Sequence, residues 1–199
     1  MRIVLVGPPG AGKGTQAGRI VDRSGGVHIA TGDILRSNAD RGTELGRTAS
    51  GYMDRGDLVP DDVIVDMVLE RLGEGDCAGG FVLDGFPRTV PQAEALEGRL
   101  AKLGRPLDAV VSLEVGEDEL RERLARRAEE QDRAEDDDED AIRRRLELFH
   151  HETGPLLDFY ADKGLLVRVP AEGDPDEVAD RIAAALDGRG GRDGREGAA

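Results

Sequence analysis

A chain of 199 residues is long enough for one well-packed core and too short for two large independent domains. Its 42 acidic against 27 basic residues leave a formal charge of −15, which argues against a general nucleic-acid or anionic-membrane surface and requires any polyanion to be met locally. A single cysteine, Cys77, excludes an intramolecular disulfide and a cysteine-built zinc site, and no apolar stretch approaches membrane-spanning length.

The chain opens on an apolar run, Ile3, Val4, Leu5 and Val6, that predicts a buried strand and leads directly into GPPGAGKGT. Strand, glycine-rich loop and helix start is the layout of a phosphate cradle. Gly7, Gly10 and Gly12 allow amide N–H groups to turn inward around phosphate oxygens, where a Cβ would obstruct. Lys13 then reaches the phosphates as a cation. A helix beginning near Gly14 and running to Arg23 aims its unpaired N–H groups and positive dipole end at the same anion. The usual pattern places Ser or Thr directly after the lysine; here Gly14 intervenes and the hydroxyl arrives at Thr15, which leaves open a role toward Mg²⁺ through water.

Residues 27–30 read as a second strand, and TGDILR, residues 31–36, as a strand end passing into a helix that carries Arg36. Onward to Leu72 the chain is helical, with glycines at 42, 46, 51 and 56 predicted to break it into short helices and with Asp57, Leu58 and Val59 in a loop before Pro60. Asp61 and Asp62 open a helix that ends at Gly73 and Gly75. Phe81, Val82 and Leu83 form a third strand that delivers Asp84 at its C-terminal end, followed by GFPR; in an open parallel sheet, ligands sit at that edge. An amphipathic helix carries Val90, Ala93, Leu96, Leu100 and Leu103 on one face, and residues 109–113 are a fourth strand.

The helix from Glu117 keeps Leu120 and Leu124 inward, so Arg123 and Arg127 share another face. Six consecutive acids, residues 135–140, lead into a helix packing Ile142, Leu146 and Phe149 and exposing Arg143 and Arg144, interrupted at Gly154 and Pro155. Residues 165–169 are a fifth strand and 176–186 the last helix. The Gly/Arg-rich, apolar-poor residues 187–199 predict a disordered tail. His28, His150 and His151 have no partners at metal or triad spacing and read as surface or packing residues, while Tyr52, Phe86 and Phe149 read as core or pocket lining. Strands alternating with helices give an α/β fold, a three-layer sandwich around a five-stranded parallel sheet.

Set side by side, GPPGAGKGT, ATGDILR, FVLDGFPRTVPQ and the paired arginines after residue 120 closely resemble the nucleoside monophosphate kinase family, and its adenylate kinase branch in particular, over residues 1–186. The resemblance implies a P-loop core, a monophosphate-binding insertion at 30–59, a short lid at 126–137, and the reaction MgATP + AMP ⇌ 2 ADP. It assigns ATP to the loop Gly10, Ala11, Gly12, Lys13, Gly14 and Thr15, with Arg123 stacking on the donor adenine, Arg127 above the phosphates and Gly173 offering a backbone contact to the base. It assigns AMP to Thr31, Arg36, Asp57, Leu58, Val59 and Gln92, and to the GFPR residues Gly85, Phe86, Pro87 and Arg88, with Arg133 and Arg145 closing from the lid side. The catalytic set it implies is Lys13, Arg88, Arg127, Arg133 and Arg145, because phosphoryl transfer asks mainly for positioning and charge stabilisation.

Two features depart from a simple match. Around Arg133 the stretch RAEDD carries one residue more than the family's RxDD spacing, and the acid run reads either as favourable charge at a helix N-terminus or, at Asp136 and Asp137, as neighbours of the lid arginines. Mg²⁺ enters with ATP and is met through water by Thr15 and Asp84; the short lid holds neither Cys nor His, so no zinc is expected. Thr31, Thr89 and Gln92 match the AMP-specific members. The alternatives are a UMP/CMP kinase of the same fold and a nucleotide-binding regulator without transfer activity. The expectation is completed by a cytoplasmic monomer whose partners are ATP, AMP and ADP, without nucleic acid or membrane.

Overall fold

The computed structural model describes residues 1–55, 57–131 and 139–190. Its strands are β1 (Arg2–Val6), β2 (Val27–Ala30), β3 (Phe81–Asp84), β4 (Ala109–Glu114) and β5 (Leu166–Pro170). Its helices in chain order are α1 (Lys13–Ser24), α2 (Thr31–Asp40), α3 (Glu44–Met53), α4 (Asp61–Leu72), α5 (Val90–Lys102), α6 (Glu117–Gln131), α7 (Glu139–Leu148), α8 (Gly154–Asp162) and α9 (Pro175–Gly190). All strand pairings are parallel, in the order β2-β3-β1-β4-β5.

A parallel sheet covered on both faces needs apolar residues in both phases of each strand, and the strand alternation sorts them into two layers. Val4, Val6, Ile29, Phe81, Leu83 and Val110 belong to one core. Ile3, Leu5, Val82, Ala109, Val111 and Leu113 belong to the other. Ile64 and Val68 of α4, Leu96 and Leu100 of α5, and Leu156 of α8 close the first. Ala17 and Ile20 of α1, Leu120 of α6, and Val178 and Ile182 of α9 close the second. Burying one such side chain contributes about 1.5–3 kcal/mol, so these layers carry most of the stability.

The topology positions the site. β1 sits at the centre with Leu5 beside Asp84 of β3 and Val6 beside Ser112 of β4, so the loop after β1 emerges where connections diverge to the two sides of the sheet. That divergence leaves a crevice at the carboxyl ends of the strands.

Three local expectations change. Gly46 and Gly51 do not break the chain; both lie inside α3. Gly46 is buried where α3 crosses α2 so closely that a Cβ would stand 2.1 Å from the carbonyl oxygen of Asn38, so glycine serves packing there rather than chain reversal. Helix α9 runs to Gly190, four residues past its expected end at 186, taking in the start of the expected tail. A π-helical turn, Phe149–Thr153, separates α7 from α8, which restarts at Gly154 with Pro155 in its first turn, where proline's missing N–H costs nothing. Arg133, Asp136, Asp137 and the second half of the expected lid at 126–137 lie outside the described residues, as do 191–199. No described helix is long and apolar enough to cross a membrane.

The α2–α3 contact sets a test of the packing. Gly46→Ala is expected to lower stability by about 1–3 kcal/mol, read as a shifted urea or thermal midpoint, because the obstruction is backbone and cannot rotate away. Gly51→Ala, inside the same helix with only the tip of Arg55 within reach at 3.7 Å, is expected to be neutral or slightly stabilising.

Candidate active site

The loop after β1 is shaped by two left-handed glycines, Gly10 and Gly12, each with φ 84°. Gly12 stands at the N-cap of α1 and no side chain caps that helix, so its first N–H groups are left for an anion. Ala11 turns its methyl into the core and contributes backbone only. Lys13 folds back over the loop, donating from Nζ to the carbonyls of Gly7 at 2.9 Å and Pro8 at 3.0 Å. Thr15 is exposed in the first turn of α1, at the wall of the cleft.

Asp84 leaves the end of β3 directly across from this loop, its Oδ2 3.5 Å from where a Cβ on Gly14 would stand. Burial pushes its carboxyl up, but the His28 imidazole and the Lys13 ammonium outweigh it, so the acid is held below its ordinary range and remains ionised. His28 Nε2 lies 3.8 Å from Asp84 Oδ2. This histidine belongs to the cleft rather than to surface or packing alone. Parallel pairing of β2 with β3 brings it there, and nothing in its local sequence signals that pairing.

Two cavities meet at this edge. The larger, of about 610 Å³, runs over the loop past Thr15, Arg123, Arg127 and Gly173, a size suited to a nucleotide. The smaller, of about 80 Å³, is enclosed by Thr31, Met53, Asp57, Leu58, Val59 and Gln92. Arg36, Arg88, Arg145 and Gly85 line both. Pro87 faces a third, small hollow beside Lys13 and Leu58. Phe86 instead packs into the core, which leaves only its backbone for a ligand.

The cations are braced. Arg88 Nε donates to the carbonyl of Gly85 at 2.9 Å, while Thr153, from the π-helical turn, donates to the carbonyl of Arg88 at 3.2 Å. Arg36 pairs with Asp33, and Arg123 pairs with Glu119 and donates to the carbonyl of Ala171 at 2.9 Å. Enclosure by the cleft and repulsion from Arg145 lower the proton affinity of Arg88. For Lys13, loss of bulk water together with repulsion from Arg88, Arg145 and Arg127 exceeds the attraction of Asp84 and lowers its pKa from 10.5 to about 8.

Two acids, Asp57, read from sequence as a loop residue that the resemblance assigns to AMP, and Asp61, read as a helix opener, prove to be joints. Asp57 receives Arg55 Nε at 3.1 Å and Arg144 of α7, linking the residues before α4 to the helix that carries Arg145; the Arg144 hydrogen bond holds its carboxyl below the ordinary range. Asp61 receives Gln92 Nε2 at 2.5 Å and the Thr89 hydroxyl at 3.3 Å. Contacts 87 and 31 residues apart in the chain leave no mark in a local pattern.

Among the described residues no group of three or more His, Cys, Asp or Glu gathers around a common point. Asp84 and Thr15 at the loop fit a Mg²⁺ ion that keeps its waters and is held by phosphates, as that small, tightly hydrated ion usually is.

A family model described as adenylate kinase matches residues 5–165. An adenylate kinase of Stenotrophomonas maltophilia (strain R551-3) is 52% identical over 188 residues, covering 94% of this chain and 100% of the relative. One from Thermobifida fusca (strain YX) is 51% identical over 189 residues, with 95% and 100% covered, and one from Xanthomonas campestris pv. campestris (strain 8004) is 50% identical over 186 residues, with 94% and 99% covered.

The lowered proton affinity of Lys13 predicts a pH dependence of definite sign. Below a pH of about 8 the free protein carries the ammonium; above it the cation is lost. The second-order rate constant kcat/KM for the phosphate donor is expected to fall above that point by about tenfold per pH unit, while kcat, measured with phosphates already beside the ammonium, turns down at higher pH. A kcat/KM that stays flat to pH 10 contradicts the charge balance drawn for the cleft.

Proposed function

The chain belongs to the adenylate kinase family and carries its phosphotransferase activity between adenine nucleotides, ATP + AMP ⇌ 2 ADP, and we propose a division of labour among its residues. ATP lies in the larger cavity with its phosphates on the Gly10 to Thr15 loop and its base near Arg123 and Gly173. AMP lies in the smaller one, within an acceptor-binding unit formed by residues 30–59. The observation that carries this reading is that Arg36, Arg88 and Arg145 line both cavities, where a phosphoryl group passing between them would meet all three.

Each residue's part follows from its position. Lys13 and the unpaired N–H groups of α1 neutralise the donor phosphates. Arg88 and Arg36 grip the acceptor phosphate with planar forks and fix its attacking oxygen. Arg145 and Arg127 stabilise charge spreading over the equatorial oxygens of the transferring group. Asp84 is held ionised by its cationic neighbours and is therefore a poor proton acceptor; its part is to orient water on Mg²⁺, with Thr15 beside it. The metal, arriving with ATP, supplies further positive charge on the phosphates.

The working unit is a monomer in the cytoplasm, with ATP, AMP and ADP as partners and neither nucleic acid nor membrane. The net charge of −15 supports the last two points by repelling polyanions away from the cleft. Light scattering after size exclusion tests the monomer.

The plain assay is ADP formation from ATP and AMP with Mg²⁺, compared with CMP and UMP as acceptors at equal concentration; AMP is expected to be preferred, and a preference for UMP overturns the acceptor assignment. Lys13→Met is expected to lower kcat about 10²–10³-fold with an unchanged circular dichroism spectrum. Near-normal turnover in that variant removes the loop from the mechanism.

A further inference from the structure

Gln92 is buried, 3% exposed, between two groups of opposite and fixed character. The Asp61 carboxylate can only accept a hydrogen bond and the Arg88 backbone N–H can only donate one. Gln92 Nε2 lies 2.5 Å from Asp61 Oδ1, and Gln92 Oε1 lies 2.7 Å from the Arg88 nitrogen. The amide therefore has a single orientation. Turning it over would set its NH₂ against an N–H and its oxygen against a carboxylate, an arrangement in which neither contact is a hydrogen bond and the like-polarity groups repel.

The carboxylate is itself held. Thr89 donates to its second oxygen at 3.3 Å, and the same hydroxyl accepts from the Gln92 backbone N–H at 3.3 Å as the cap of α5. Asp61 also begins α4, immediately after Val59 and Pro60, so it is anchored on the rim of the smaller cavity.

After these two bonds the Gln92 amide keeps one N–H and one oxygen lone pair, and the residue lines the smaller cavity together with Thr31. A glutamine free to rotate offers donor and acceptor in either order and reads nothing. A glutamine that cannot turn offers them in one order only.

We propose that Asp61 is a specificity-determining positioning residue: by fixing the polarity of the Gln92 amide it makes the acceptor site complementary to a 6-aminopurine edge and opposed to a 6-oxopurine edge. The inference rests on the proposed function, which places the acceptor base in this cavity. Adenine offers an amino N–H beside an unprotonated ring nitrogen; hypoxanthine has the same outline but offers a carbonyl beside a ring N–H. Shape does not separate them, and the order of donor and acceptor does. Asp61 touches neither base. It acts through Gln92.

The test compares AMP and inosine monophosphate as acceptors, by kcat/KM, in the wild-type protein and in Asp61→Asn and Asp61→Glu. Wild type is expected to prefer AMP. Asparagine at 61 can donate or accept, which removes one of the two constraints on the Gln92 amide and leaves only the Arg88 N–H against its turning, so the preference is expected to shrink severalfold, in KM rather than kcat. Glutamate keeps an acceptor-only partner and is expected to restore the preference. A general loosening of the site would slow both acceptors alike and leave the ratio unchanged; an unchanged ratio in Asp61→Asn overturns the inference. So does a wild-type protein that uses both acceptors equally, a result that needs no variant to fold. Calorimetric binding of the two monophosphates reads the same preference without turnover. A protein that binds AMP over inosine monophosphate but makes no ADP would sink the proposed phosphoryl transfer and leave the role of Asp61 standing.

Discussion

Phosphate-binding cations must stand together before the phosphates arrive, and their mutual repulsion is the constraint to which the rest of this structure answers. Two like charges 4 Å apart at an effective dielectric of about 20 repel by about 4 kcal/mol. Lys13, Arg36, Arg88, Arg127 and Arg145 share one cleft, and the proton affinities of Lys13 and Arg88 are lowered first by their loss of bulk water and then by this repulsion. Internal partners hold several of them in place: loop carbonyls for Lys13, the Gly85 carbonyl for Arg88, and Asp33 for Arg36. On the proposed function, substrate phosphates would take over those interactions, and binding would be an exchange of partners in a site already arranged.

The frame that resists this repulsion is the central strand with its two neighbours. β1, β3 and β4 are covered on both faces by apolar layers, and the loop and carboxylate at their ends are fixed by strands rather than by other loops. The GFPR segment receives the same treatment. Its backbone is held at Arg88 from two sides, by Gln92 and by Thr153, so the guanidinium projects from a peptide unit that has little freedom left.

Much of this was legible in the sequence because it is local. Apolar runs marked all the strands that form the sheet, the loop with Lys13 announced its chemistry by glycine spacing, and Asp84 followed from its place at a strand end. What escaped was set by contacts between distant segments. Gly46 looked like a breaker because glycine in a helical stretch usually is one, and only the proximity of Asn38 reveals its packing role. His28 gained a place in the cleft through the pairing of β2 with β3. Asp61 looked like an ordinary acid at a helix start, and it is one, but its second duty depends on an amide 31 residues away. The site residue Arg133 falls outside the described residues, so its expected place beside Arg145 rests on the resemblance alone.

The pairing of Arg144 with Asp57 has a consequence of a mechanical kind. Successive residues on a helix point about 100° apart, so α7 directs Arg145 into the cleft while Arg144 reaches sideways to the acceptor-side loop. The helix is in effect a cross-member with one hand on the cargo and the other on the wall. A displacement of α7 would be carried through this pair to the loop at Asp57. The stiffness of that linkage is set by the solvent, because the arginine end of the pair is 56% exposed and such contacts weaken as salt screens them. Raising the ionic strength is thus expected to loosen the tie between α7 and the loop at Asp57.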